Sequence, residues 1–116
     1  MGDRTVTPKA LLKALEARDG HRSAWTGEDC PELVPQHRQG GMGGRADKHR
    51  LSNVVWLESS LNSLIESDPA YQREALRRGI KISNYSDPER VPILHAVHGL
   101  VLLTDSGDHI AQEVPF

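Results

Sequence analysis

An α+β fold in a single domain is what this sequence predicts, and three observations carry the expectation. A proline-capped amphipathic stretch opens the chain, a central stretch runs from strand through a glycine-rich loop into a helical pattern, and an alternating stretch around Ser106-Gly107 closes it. At 116 residues the chain suits one core, which the scarcity of aromatics (two Trp, two Tyr, one Phe) leaves to Leu, Val and Ile.

In order along the chain, Thr7 is placed to cap a helix with Pro8 at its first position, and Leu11, Leu12 and Leu15 form its apolar stripe up to a stop at Asp19-Gly20. A short strand is expected around residues 23–26, followed by a turn at Gly27, Glu28 and Asp29. Residues 32–34 read as a strand that Pro35 confines to an edge or brings to its last rung. Four of the ten glycines fall in residues 39–44, a density that marks a loop or a close backbone approach. A second short strand is expected around residues 49–51. From Asn53 to Ser67 the pattern reads as helical, with Leu57, Leu61, Leu64 and Ile65 on one side, Glu58, Asn62 and Glu66 on the other, and Trp56 in the core at the first turn. Asp68-Pro69 caps a further helix that Gly79 stops. Residues 80–83 are a strand candidate and residues 87–92 a turn-rich linker. Residues 100–104 and 109–114 then form a terminal β-hairpin.

Bulk properties narrow the function. The single cysteine, Cys30, excludes an intramolecular disulfide and any metal site with more than one thiolate, and no base flanks it to make it reactive. No apolar run approaches the roughly 20 residues of a membrane span, and the opening residues lack the apolar core of a secretory signal, so a soluble protein of the cytoplasm is expected. The net charge is −2, but Arg38, Arg45, Lys48 and Arg50 cluster against Asp47 alone, while acids gather at Glu28, Asp29 and Glu32 and again at Glu58, Glu66 and Asp68. A basic stripe on an acidic body is compatible with phosphate contact and equally with a solvated basic loop.

The central stretch also carries chemistry. Cleaving a phosphodiester with a metal needs a base for water, a cation at the scissile phosphate, and a group that orients the base. His37 at a strand end supplies a base suited to neutral pH. An oxygen on the helix, at Asn62, can hold Mg²⁺, which keeps most of its own waters. An amide near the strand–helix junction, Asn53, can fix the loop or the base, and an Asn there is equally a helix cap.

The run ELVPQHRQGGMGGRADKHRLSNVVWLESSLNSLIES resembles the HNH, or His-Me finger, endonucleases abundant in phages and prophages of actinobacteria. Gln36-His37-Arg38 falls on the His-His-Arg of that group, residues 41–44 on its glycine loop, Asn53 on its Asn, Asn62 on its final His, and Glu66 on the Glu that follows. The likeness extends over about residues 18–107. It implies a ββα-metal core (about residues 21–67) flanked by the N-terminal helix and C-terminal hairpin, and a phage-encoded, Mg²⁺- or Mn²⁺-dependent DNA endonuclease. In that reading His37 and Asn53 are catalytic, Asn62 and Gln36 hold the metal, and Arg38, Arg45, Lys48 and Arg50 bind DNA. Its partners are DNA and a further phage or host protein.

The departures are as informative. Zinc-bearing members brace the fold with two Cys-x-x-Cys pairs, whose places here hold Ser23 and Thr26, then Glu58 and Leu61, so no structural zinc is expected. Gln36 stands where the group usually has an Asp or His on the metal, and an amide oxygen is a weaker ligand. The alternative is therefore a catalytically degenerate HNH-fold protein that binds DNA or a host protein. His49 is expected to pair with backbone, and His95, His98 and His109 show no ligand spacing and receive no role.

Overall fold

The computed structural model of the chain describes residues 8–39 and 50–113. The expectations for Thr7, for the glycines of 40–44, for Arg45, Lys48 and His49, and for Val114 lie outside the described residues. Helix α1 (Pro8–Asp19) leads through an irregular stretch to β1 (Leu33–His37), and a 3₁₀ turn at Leu51–Asn53 precedes β2 (Val54–Glu58). Then follow α2 (Ser59–Ser67), α3 (Pro69–Arg77), β3 (Ile93–His95), β4 (Gly99–Leu103) and β5 (His109–Ala111). Two antiparallel sheets result, β1–β2 and β3–β4–β5. The fold is α+β, as expected.

The hairpin β1–β2 is the centre of the molecule because β2 is buried on both faces. Paired residues of an antiparallel ladder share a face, and neighbours along a strand alternate. Leu33, Val54 and Trp56 therefore pack on one side with Leu11 and Leu15 of α1 and with Leu51. Val55 and Leu57 pack on the other with Ile65 of α2, Ala75 of α3, Ile80, Ile93, Val101 and Leu103. Leu12 lies largely outside this packing, so the stripe on α1 is narrower than expected.

Several elements differ from the sequence reading. Residues 54–58 are strand, not the first turns of a helix, and Trp56 lies on β2 opposite Pro35. Residues 24–26 form a turn instead of a strand, Leu51 belongs to the 3₁₀ turn, and the candidate strand at 80–83 is a single parallel bridge from Ile82 to Gln39. Strand β1 continues through Pro35 to His37, since that residue sits on an edge where its missing N–H costs nothing. Strand β3 had no expectation. The reading of α3 holds: the Asp68 side chain accepts the N–H of Ala70 at 2.8 Å, Pro69 opens the helix, and the chain leaves it through Gly79 at φ +73. A Cβ at Gly79 would collide with the carbonyl oxygen of Pro92. No helix among the described residues is long and apolar enough to cross a membrane.

Candidate active site

The strand–strand–helix unit β1–β2–α2 carries Gln36, His37 and Asn62, and Asn53 ends the 3₁₀ turn just before β2. His37 ends β1 opposite Val54, and Gln36 stands opposite Val55. Gln36 thus shares the face that packs against α2, whereas His37 shares the face of Val54, at the point where the strand runs out. The half-buried ammonium of Lys81 donates to the His37 carbonyl oxygen at 3.0 Å and ties this strand end to the stretch behind α3. Burial pulls the Lys81 pKa below its usual value, against the charge of Glu66. Lys81, Glu66 and Arg38 line a shared cavity of roughly 220 Å³ with Ile65 and Ile82.

Asn53 is fully buried, and its Oδ1 accepts the backbone N–H of Gln39 at 3.0 Å. It caps no helix. This bond holds the chain just past His37.

Asn62 lies on the second turn of α2, three residues before the buried Ile65 and so on the same side of the helix. Its Oδ1 is buried and has no hydrogen-bond partner among the described residues. A buried carbonyl-type oxygen left unpaired costs free energy, so one that persists calls for a partner from outside the chain or for another reason to be kept. The expected opposite side of the helix is not where Asn62 stands, and Glu58 belongs to β2.

The basic stripe is where the structure departs most from expectation. Arg38 is fully buried and donates to four carbonyl oxygens, those of Gly79 at 2.9 Å, Ser52 at 3.0 Å, Pro88 at 2.9 Å and Val91 at 2.8 Å. Burial and the nearby charge of Arg18 lower its pKa to about 10, so it stays protonated at neutral pH. It is a rivet between the strand end and the loops around 79–91 and is not positioned to meet a phosphate. Arg50 is claimed by three carboxylates, Asp105 at 2.8 Å, Asp87 at 3.0 Å and Glu89 at 3.4 Å.

At the four positions where zinc-bearing HNH proteins carry cysteines, the hydroxyls of Ser23 and Thr26 donate to the two carboxylate oxygens of Glu58, at 2.6 and 2.9 Å. Leu61 packs against the larger core cluster. Hydrogen bonds and apolar contact thus join the two segments directly.

A second polar cluster had been given no role. Asp19 at the end of α1 meets His95 at the end of β3 and His98 in the following turn: Nε2 of His95 lies 3.3 Å from Asp19 Oδ2, and Nε2 of His98 2.8 Å from Oδ1. The His98 ring stacks on His109 of β5 with centroids 3.8 Å apart. Arg18 grips the same carboxylate with Nε at 2.8 Å and Nη2 at 2.6 Å. Burial opposes ionisation of Asp19, but the hydrogen bonds from Arg18 and His95 outweigh it and hold the carboxyl well below the usual range. The signal in the sequence was the pair His95-x-x-His98 astride a β-turn, which brings two imidazoles to one side of a hairpin. The Asp on a distant helix could not be read from it.

No family model, no curated protein and no solved structure matches the chain.

Proposed function

We propose that this chain is a metal-dependent DNA endonuclease of the HNH type, its β1–β2–α2 unit serving as a ββα-metal finger. The observation that supports the reading is the buried, unpartnered Oδ1 of Asn62 on the hairpin-facing side of α2, in a unit whose first strand ends in His37. Such an oxygen suits a hard cation. Asn62, with Gln36 on the same face of the hairpin, would hold Mg²⁺ or Mn²⁺, which would supply positive charge at the scissile phosphate.

The chain's own residues do the remainder. His37 takes a proton from the water that attacks phosphorus, the new P–O bond forms as the bond to the 3′ oxygen breaks, and that oxygen leaves with a proton from solvent. Lys81 holds the carbonyl oxygen of His37 and Asn53 holds the N–H of Gln39, so the backbone at and just after the base is fixed. With Arg38 buried and Arg50 engaged, phosphate contact along the flanking DNA falls to Arg45 and Lys48. The place of action would be the cytoplasm of a bacterial host.

A second reading, a degenerate HNH-fold protein that binds DNA or a phage or host protein without cutting, is favoured by the three carboxylates around Arg50 and by the neutral Gln36. Incubation with supercoiled plasmid and Mg²⁺ or Mn²⁺ separates the two. Nicking by the parent and none by a folded His37→Ala variant is the expected result. A parent inert with both metals sinks the nuclease reading, and a plasmid gel shift then tests the binder.

A further inference from the structure

We infer that Asp19, His95 and His98 form a binding site for a transition-metal ion of the zinc class, separate from the proposed nuclease centre and independent of it. The three ligand atoms lie within 4.8 Å of one another, two of the residues are buried, and His98 reaches toward the surface. Two imidazoles and one carboxylate are a donor set for Zn²⁺, Co²⁺ or Ni²⁺, with a further position left for water. Mg²⁺ and Ca²⁺, which want oxygen, are poorly served by it.

Arg18 does not block the site. An ionised carboxylate offers about four lone-pair positions. The guanidinium fork engages both oxygens of Asp19, and the two histidines engage the same oxygens as well. An ion would take over the histidines' share and leave the fork in place. Arg18 is itself fixed by the carbonyl oxygens of Leu51 at 2.9 Å and Val54 at 2.8 Å, so the carboxylate is oriented before any ion arrives. Outer hydrogen bonds of this kind set the direction of metal-binding carboxylates.

The cost falls on His95. Its Nδ1 accepts the N–H of Val97 at 3.1 Å, which puts its proton on Nε2, facing Asp19. Metal binding through Nε2 moves that proton to Nδ1, and the Val97 N–H must then turn to water. The affinity is lowered accordingly. In return the ion ties the end of α1 to the β3–β4 turn, across chain separations of 76 and 79 residues, and stabilises the fold by an amount that rises with the logarithm of its concentration above the dissociation constant.

Titration of the purified full chain with ZnCl₂ by calorimetry, with thermal melts alongside, tests the site. One ion per chain and a rise in Tm are expected, and CoCl₂ gives the visible absorption of a four- or five-coordinate site. His98→Ala, near the surface and checked for folding by circular dichroism, weakens Zn²⁺ binding by at least the roughly 10–100-fold that loss of an outer partner of a metal ligand costs. Asn62→Ala leaves it unchanged, whatever happens to plasmid nicking. The inference is overturned if the parent shows neither heat nor a Tm shift with Zn²⁺, or if folded His98→Ala binds Zn²⁺ as the parent does.

Discussion

Asn53 holds Gln39 across 14 residues of chain: its side-chain Oδ1 accepts the Gln39 N–H at 3.0 Å, while its own carbonyl oxygen accepts the N–H of Arg38 at 2.7 Å. These bonds continue the β1–β2 ladder for two residues beyond its last regular pair, His37 and Val54. They fix the point at which the chain leaves the strand, immediately after the proposed base. An amide is suited to this because it accepts with Oδ1 and carries no charge into a fully buried position.

Asn53→Ala removes the acceptor and leaves the Gln39 N–H buried without it. The expected loss of stability is about 1–3 kcal/mol, read from the midpoint of a urea transition. Nicking by the fraction that remains folded should also fall, because His37 loses one of its two anchors. A variant as stable as the parent would show that this bond does not hold the strand end.

Arg38→Lys is expected to cost at least about 3 kcal/mol, since a single ammonium cannot serve four carbonyl oxygens and the unserved ones remain buried. That is a large part of the stability of a small domain, so the variant should unfold at much lower denaturant than the parent. Were Arg38 a phosphate contact, stability would hold, and because lysine keeps the charge the salt dependence of DNA binding would change little.

The contrast between β2 and α3 shows what the sequence could convey. For α3 the local signals agree with one another: Asp68 as cap, Pro69 behind it, Gly79 where only a residue without a side chain clears Pro92. For β2 they conflict. Leu57, Leu61, Leu64 and Ile65 fit a helical period, yet Val54-Val55-Trp56-Leu57 is an unbroken apolar run rich in β-branched and aromatic residues. Such a run suits a strand buried on both faces, where alternation disappears. The core packing of the two hairpin faces confirms that this is why. Arg38 misled for a different reason. A charged residue beside a glycine loop reads as solvent-facing, and only the fold reveals four carbonyls waiting for it. The Asp19, His95 and His98 cluster depends on contacts between distant segments, which neither period nor spacing encodes.

Glu74 offers a pH test of the α3 end. Hydrogen bonds from Arg77 and Arg78, at 2.6–2.9 Å, lower its pKa to about 2, and Arg78 in turn lies over the Trp25 ring at 4.2 Å. A carboxylate depressed in the folded state stabilises it above its unfolded pKa, and that contribution is lost as pH falls through the folded value. The parent should therefore lose this contribution between about pH 4.5 and pH 2. Glu74→Gln should show a shallower fall in Tm over that window, with Trp25 fluorescence already altered at pH 7. Identical acid limbs for the two proteins would mean that the pair is too solvated to matter.

Gln36 decides how strongly the proposed centre holds its metal. It lies opposite Val55 on the hairpin face that packs against α2, the helix that carries the unpartnered Asn62 oxygen. Both side chains are amides, so the pair offers a cation two partial charges and no formal one. Mg²⁺ sheds its waters reluctantly and should bind weakly to such a pair, leaning on the substrate phosphate for the remainder. Gln36→Asp supplies a hard anionic oxygen at the same position, on a strand whose geometry the change does not disturb. A lower Mn²⁺ concentration for half-maximal plasmid nicking is the expected outcome, or nicking that appears where the parent has none. A protein whose centre has been dismantled elsewhere stays silent in both forms, which would support the binding reading. Nicking in the parent that Gln36→Asp leaves unaltered across a Mn²⁺ titration would place Gln36 away from the metal. The likeness of Gln36-His37-Arg38 to the first HNH motif would then have to be given up, even with β1, β2 and α2 arranged as they are.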